Sequence, residues 1–378
     1  MPMLGSLAVA SDRSFGNTVS GRQNFNAFFP STTLYTGDNS QIVGIAAGEA
    51  AGTAFGITYS TQLVAVSNNV GVYGYNFSST DGGVTWSGPS QFNNSALSFT
   101  INSVAGGYNN SFCAVGRGLA NNYPTYSYSA NGGNTWTTPA SMGGTTTSYS
   151  MTSVIYSRRG GVWASVGNDS SFLPVTTITN NASTWTTAPA SISATPIILT
   201  SIYAPWTFVS NYFVAVGYEL TGNAPVFSVC NNASTFSAPA RMNSSATGAY
   251  MNAVTANTAG SLFVAAGYSP STGLPLYAYS SNGGNTWTTP ATVNNTTKTI
   301  QMTCIACNNS NTFVMCGTDV NTNLSYYSSS TDGFTWTEPA LIQASYFRVN
   351  SLTVVPSTGR IVAGGYVNNN YAAVALGT

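Results

Sequence analysis

The chain has 378 residues, nine Lys+Arg, nine Asp+Glu and no His, so charged side chains make up 5% of it and the formal net charge is zero. Soluble domains usually carry about a quarter charged residues, so the polar surface here must be built from Ser, Thr, Asn, Gly and Tyr. The absence of a basic excess argues against a nucleic-acid or anionic-membrane partner, and the absence of His removes the usual general base and transition-metal ligand.

A hydrophobic content of 43% is enough for a large core. With so little self-repulsion, packing of copies into an assembly is expected. MPMLGSLAVASDR has neither the basic start nor the apolar run of a secretory leader. The apolar stretch 41–57 is short, rich in Gly and Ala, and interrupted by Glu49, so it does not read as a membrane span. Five cysteines without framework spacing read as reduced core residues. The Asn-x-Ser/Thr triplets are what chance gives in so Asn/Ser/Thr-rich a chain.

The elements follow from a repeat. SANGGNTWTTP (129–139) returns as SSNGGNTWTTP (280–290) and as SSTDGGVTWSGP (78–89), with shorter versions around Trp185, Phe236 and Trp336. The anchors Trp86, Trp136, Trp185, Phe236, Trp287 and Trp336 are 50, 49, 51, 51 and 49 residues apart. A period near 50 with strand-like spacers marks a radial repeat fold.

In chain order, residues 1–30 have no clear repeat partner and read as an extension or arm, with 31–378 as one propeller. Projecting the spacing back from Trp86 lands near Thr36, in STTLYTG (31–37). Each later repeat parses into four strands, A to D from the axis outwards. The third shows them as MTSVIYS (151–157), GVWASVG (161–167), LPVTTIT (173–179) and STWTTAP (183–189). Strand A recurs as INSV (101–104), MTSV (151–154), LTSI (199–202), MNAV (251–254), MTCI (302–305) and VNSL (349–352), with a weaker copy, AFGI, at 54–57. Alternating small residues suit the crowded axis. Strand B ends in a Val-Gly-like step, as at Val115-Gly116, Val166-Gly167 and Val216-Gly217. After the seventh strand A the chain offers only IVAGGYV (361–367) and YAAVALG (371–377), so the N-terminal segment is expected to supply strand D of the last blade. This closes a seven-bladed, all-β propeller of four-stranded antiparallel blades and removes two open sheet edges.

Ser79-Thr80-Asp81-Gly82-Gly83-Val84-Thr85-Trp86 fits S-x-D-x-G-x-T-W, a pattern that resembles the Asp-box, or BNR repeat, of sialidase and sortilin-type propellers. The copies at Asn131/Trp136 and Asn282/Trp287 carry Asn for Asp. Those ending at Trp185, Phe236 and Trp336 (with Asp332) are one residue shorter, and the first two of these lack the Gly. Asp or Asn in such a turn bonds its own downstream backbone, Gly permits positive φ, and the Trp buries its ring between blades. These are structural jobs. The resemblance places the boxes on C–D turns, opposite the family's usual ligand face.

The resemblance also implies what a sialidase would need: three substrate-binding arginines, a Tyr–Glu pair and an acid/base Asp. Arg158, Arg159 and Arg360 fall in A–B hairpins on the box face, and Phe347-Arg348 is the only echo of the arginine motif, so that activity is rejected. The candidate ligand-binding residues head the B–C loops: Arg117, Asp169, Tyr218, Glu219, Tyr268, Asp319 and Tyr366. Two carboxylates of a glycosidase must lie about 5–9.5 Å apart, and equivalent positions on different blades are farther apart than that. No catalytic residue is assigned. A rim of Tyr, Asn, Asp and Ser could instead read a neutral glycan, with Trp206 exposed in an A–B loop and Trp163 in the core. Cys304-x-x-Cys307, near Cys316, is no metal site, because residues three apart on a strand face opposite ways.

The sequence thus reads as a non-enzymatic, lectin-like binding or structural propeller with no cofactor and no metal. A surface or virion-associated component that packs through neutral faces and binds carbohydrate is the first reading, at the cell exterior or virion surface, with self-assembly or adhesion as its setting. An intracellular scaffold that binds a protein is the alternative.

Overall fold

The computed structural model describes residues 28, 31–34, 41–48, 61–68, 74–92, 99–158, 160–205, 213–243, 247–367 and 371–377. It forms seven four-stranded antiparallel sheets. Blade 1 comprises Gln41–Ala47, Leu63–Asn68, Gly74–Ser79 and Ser87–Gln91, and blade 2 comprises Phe99–Gly106, Phe112–Gly118, Pro124–Ser129 and Ala140–Ser141. Blades 3 to 6 repeat this plan, with inner strands Tyr149–Ser157, Ile197–Tyr203, Tyr250–Ala256 and Ile300–Cys307. Blade 7 is Phe347–Val354, Ile361–Val367 and Tyr371–Leu376, completed by Thr32–Thr33 from the other end of the chain.

That completion matches the expected closure: Thr32 pairs with Val374, Thr33 with Ala373, and the Leu34 N–H donates to the Ala372 carbonyl at 2.8 Å. The anchor of this strand is Phe28, however, and not a residue near Thr36. Phe28 stands four residues before Thr32, the offset of Trp136 before Ala140 and of Trp287 before Ala291. It is buried on blade 6, edge-on to Tyr327 at 5.8 Å, as Trp336 meets Tyr277 and Trp287 meets Phe227 one and two blades earlier. The projection misses because blade 1 has a longer A–B connection, from Ala47 to Leu63, where blade 2 needs only Gly106 to Phe112. The same insertion corrects the inner strand of blade 1, which is Gln41–Ala47; the expected copy at 54–57 lies outside the described residues.

Every anchor packs against the preceding blade. Trp136 packs on Val64 and Val66 of blade 1, Trp287 on Val214 and Val216 of blade 4, and Trp336 on Val264 and Ala266 of blade 5. The core is therefore seven inter-blade layers, and each buried aromatic ring contributes about 2–3 kcal/mol of transfer free energy.

The recurring Gly of strand B has a steric cause. Each inner strand carries a bulge, for example between Ile101 and Ser103, and in blades 2 to 7 it lies opposite that Gly, with Ser67 in its place in blade 1. A Cβ on Gly116, Gly217 or Gly267 would lie 1.7–1.8 Å from the carbonyl oxygen of Thr100, Ile198 or Tyr250. No side chain fits at those three positions.

The bulged residues of strand A do more than fill a crowded axis. Asn102, Thr152, Thr200, Asn252, Thr303 and Asn350 each donate to an inner-strand carbonyl of the next blade: Met151, Leu199, Met251, Met302, Val349 and Ile42, at 2.6–3.1 Å. Blade 1 has Val43 at this position and cannot donate. Asn68 of its second strand takes over, donating to the Ile101 carbonyl at 2.6 Å and accepting from the Ile101 N–H at 2.9 Å. A ring of side-chain-to-backbone bonds thus joins all seven blades.

Candidate functional site

The C–D turns lie on the same face as the A–B loops. In the first turn Asp81 Oδ1 accepts from Ser79 Oγ and from the backbone N–H groups of Val84 and Thr85 at 2.8–3.0 Å, and Trp86 Nε1 donates to the Gly83 carbonyl at 2.9 Å. Asn131 and Asn282 accept from the N–H of Thr135 and Thr286 in the same way, and each also donates Nδ2 to the Thr hydroxyl. Partial burial works to raise the pKa values of Asp81 and Asp332. The hydrogen bonds outweigh it: for Asp81 from the Thr85 side chain and backbone, Ser79 and Val84, and for Asp332 from Thr335, Phe334 and Ser330. Both carboxyls end below the usual Asp range. These side chains hold their own turns.

Gly133 shows why the turn also locks blades. Its φ is +85°, and a Cβ there would lie 2.5 Å from Val64 of the preceding blade. In the shorter turns the indole N–H loses its acceptor: Trp185 Nε1 and Trp336 Nε1 have no nitrogen or oxygen partner. Trp185 instead faces the buried Cys113 thiol, which burial pushes up to about 12. In the third short turn Phe236 stands where no N–H needs satisfying.

The seven rim candidates sit at the other end, on the B–C loops. Asp169 Oδ1 accepts from Ser171 N–H and Leu173 N–H, both at 2.8 Å, and Asp319 Oδ1 from Asn321 N–H and Thr322 N–H at 2.7 and 3.2 Å. Glu219 makes a two-pronged pair with Arg241 at 2.9 and 2.6 Å. These three carboxylates belong to blades 3, 6 and 4, and each is bound within its own blade. Arg117 is exposed on blade 2.

Tyr218 and Tyr268 are brought together by a residue that the sequence reading missed. Tyr250 lies 3.9 Å from Tyr218 and 5.5 Å from Tyr268, ring centre to ring centre, and its hydroxyl donates to Asn223 Oδ1 at 3.1 Å. Burial, then the neighbouring rings, raises the pKa of both Tyr218 and Tyr268. Hairpin register was the available signal, because Tyr250 pairs with Tyr268 across strands A and B. Tyr366 is buried beside Tyr346, with ring centres 6.1 Å apart, and burial is the main cause that raises it.

Apolar side chains are also exposed here. Eight large ones are exposed among the described residues, and four of them, Leu119, Phe172, Leu220 and Val320, cap B–C loops of blades 2, 3, 4 and 6. Around them the charges nearly balance: Glu219 is paired with Arg241, and the exposed Arg117 offsets part of Asp169 and Asp319, whose carboxylates bind their own loops.

At the A–B end the axis widens into a cavity of about 330 Å³. Its floor is the hydrogen-bonded ring from Asn102 to Asn350, and its walls include Tyr156, Tyr203 and Cys307. Among the described residues no charged side chain lines it, and none of the seven rim candidates does. Burial raises the Cys307 thiol well above its usual value. Trp163 is buried, as expected, and Trp206 lies outside the described residues. All five cysteines are free, Cys304, Cys307 and Cys316 included. Among the described residues no group of three or more His, Cys, Asp or Glu could hold a metal ion, and no helix is long and apolar enough to cross a membrane.

No family model and no curated protein matches the chain. Among solved structures it is similar to YCF48 from Cyanidioschyzon merolae, with a TM-score of 0.59 and 14% sequence identity over 92% of this chain and 99% of that one. At that identity the likeness speaks for the propeller fold alone.

Proposed function

We propose that this chain is a non-enzymatic structural propeller that works by contact, as a component of a surface or particle assembly, and that the B–C face is its contact face. The observation that carries this reading is the set of four exposed apolar loop tips on a face whose carboxylates are internally spent. Aliphatic and aromatic groups standing clear of solvent on a low-charge surface are the composition of an interface core, from which charged residues are depleted. The rim carboxylates have no free geometry for acid–base work. The C–D turns serve as Asp-box-like clamps on this reading, with no part in binding.

Footprinting by hydroxyl radicals tests the choice of face. In the protein as recovered in its native assembly, Leu119, Phe172, Leu220 and Val320 should be protected relative to the purified chain, while Val84 and Phe334 on the opposite face stay reactive. The reverse pattern would overturn it.

A second reading, recognition of a neutral glycan, is favoured by the Tyr218–Tyr250–Tyr268 cluster, whose rings and Asn223 match the stacking and hydrogen-bonding needs of a sugar. It competes for the same face. A glycan array with the native chain and Tyr250→Ala separates the two: carbohydrate binding lost in the variant supports the second reading, and no binding at high density retires it.

A further inference from the structure

The B–C loops repeat one backbone device, and blade 3 breaks its rule. Just before strand C the chain enters the left-handed region at Asn122, Asn223, Gly273 and Asn323, with φ between 53° and 72°. Asn and Gly are the residues that tolerate it. In blade 3 the same position is Phe172, with φ of 61°. Apart from Ala233, it is the only described residue at positive φ that is neither Asn nor Gly.

Closure of the B–C hairpin goes with this conformation in all five blades: Gly118 N–H donates to the Tyr123 carbonyl, Asp169 to Leu173, Glu219 to Ala224, Ser269 to Leu274 and Asp319 to Leu324, at 2.8–3.0 Å. In blades 2, 3 and 4 the carbonyl at this position also accepts an N–H at the start of the next blade: Tyr149 N–H to Asn122, Ile197 N–H to Phe172 and Ala249 N–H to Asn223, at 2.9–3.1 Å. The Phe172 loop is further pinned by Asp169 through Ser171 and Leu173. An aromatic residue is therefore held in a backbone state that disfavours it, and its ring is left about half exposed, at 51%. Neither backbone preference nor burial accounts for that choice. Local rules broken at an exposed residue point to function.

We infer that Phe172 is the anchor of a face-to-face contact between two copies of this chain, with Leu119, Leu220 and Val320 as its flanks. This rests on the B–C face being the contact face, and it names the occupant. Two features single out a second copy. The tips of three successive blades, Leu119, Phe172 and Leu220, follow one another at the pitch of the blades, so an inverted copy presents knobs at the same pitch, which can seat between loops. The charges of the face also nearly balance, with Glu219 and Arg241 matched, Asp169 and Asp319 bound to their own loops and Arg117 exposed on blade 2, so an isologous pairing sets few like charges against each other.

Sedimentation velocity on the full chain from about 1 to 100 μM tests this. The native chain should shift from monomer to dimer across that range. Phe172→Asn should stay monomeric at the top of it and, melted at about 1 μM where both chains are monomeric, should unfold at the same temperature or about 2 °C higher, because Asn suits the left-handed backbone. Val84→Asn, which alters an exposed apolar residue on the opposite face and gives it the residue that Asn134 and Asn285 are in the sister turns, should dimerise as the native chain does. A native chain that is monomeric throughout overturns the inference, as does a Phe172→Asn variant that dimerises normally or melts lower. A monomeric native chain whose B–C face is nevertheless protected in its native assembly would retire the second copy and leave the contact face standing.

Discussion

Asn350 Nδ2 donates to the carbonyl of Ile42 at 2.8 Å, across 308 positions of sequence. It joins the last blade to the first with the same bond that Thr200 makes to Met251 between blades 4 and 5. The seam of the ring is therefore held twice near the axis and the rim, by this bond and by the strand Thr32–Thr33.

Asn350→Ala leaves the Ile42 carbonyl without its donor. A loss of about 1–2 kcal/mol is expected, the cost of one unmade buried hydrogen bond. Chemical unfolding would show it as a lower midpoint with an unchanged slope. An unchanged midpoint would mean that the ring bond is dispensable.

Phe28→Ala removes the seventh anchor and should cost about 3–4 kcal/mol, as for a buried Phe elsewhere in a core. Phe236→Ala is the matched comparison. If Phe28→Ala costs less than about 1 kcal/mol by the same denaturant series, the equivalence between Phe28 and the tryptophan anchors fails.

The two kinds of turn separate the indole N–H from the ring that carries it. Trp136→Phe loses the bond from Nε1 to the Gly133 carbonyl and should cost about 1–2 kcal/mol beyond the change in buried area. In Trp185→Phe no nitrogen or oxygen partner is lost, so that extra cost should be absent. Equal losses in thermal melts of the two variants would contradict the distinction.

Asp81 and Asp332 have folded-state pKa values below the ordinary Asp value of 3.8. Their contribution is complete above the unfolded value and is lost as the pH falls through the folded one. Asp81→Asn with Asp332→Asn converts both turns to non-titrating ones like that of Asn131. Near pH 7 the double variant should melt slightly lower than the native chain, the effect being small because both turns are largely exposed to solvent. Below about pH 4 the difference should shrink. A gap that widens in acid would reverse the sign.

Period, hydrophobic alternation and turn chemistry were enough to read seven four-stranded blades, because each blade is a local unit whose strands follow one another along the chain. They were also enough to see that the two chain ends share a sheet, since the last repeat lacks an outer strand. Local signals could not find Phe28, because a longer loop in blade 1 shifts the count while leaving the anchor's place in space unchanged. Nor could they show that the Asn and Thr of INSV and MTSV spend their side chains on the next blade, or that Tyr250 sits between Tyr218 and Tyr268. Those pairings lie between blades, at separations set by how seven sheets pack about one axis. Phe172 is likewise an ordinary residue in the sequence, until its place two residues before strand C, where Asn122, Asn223, Gly273 and Asn323 stand in the other blades, gives it a positive φ.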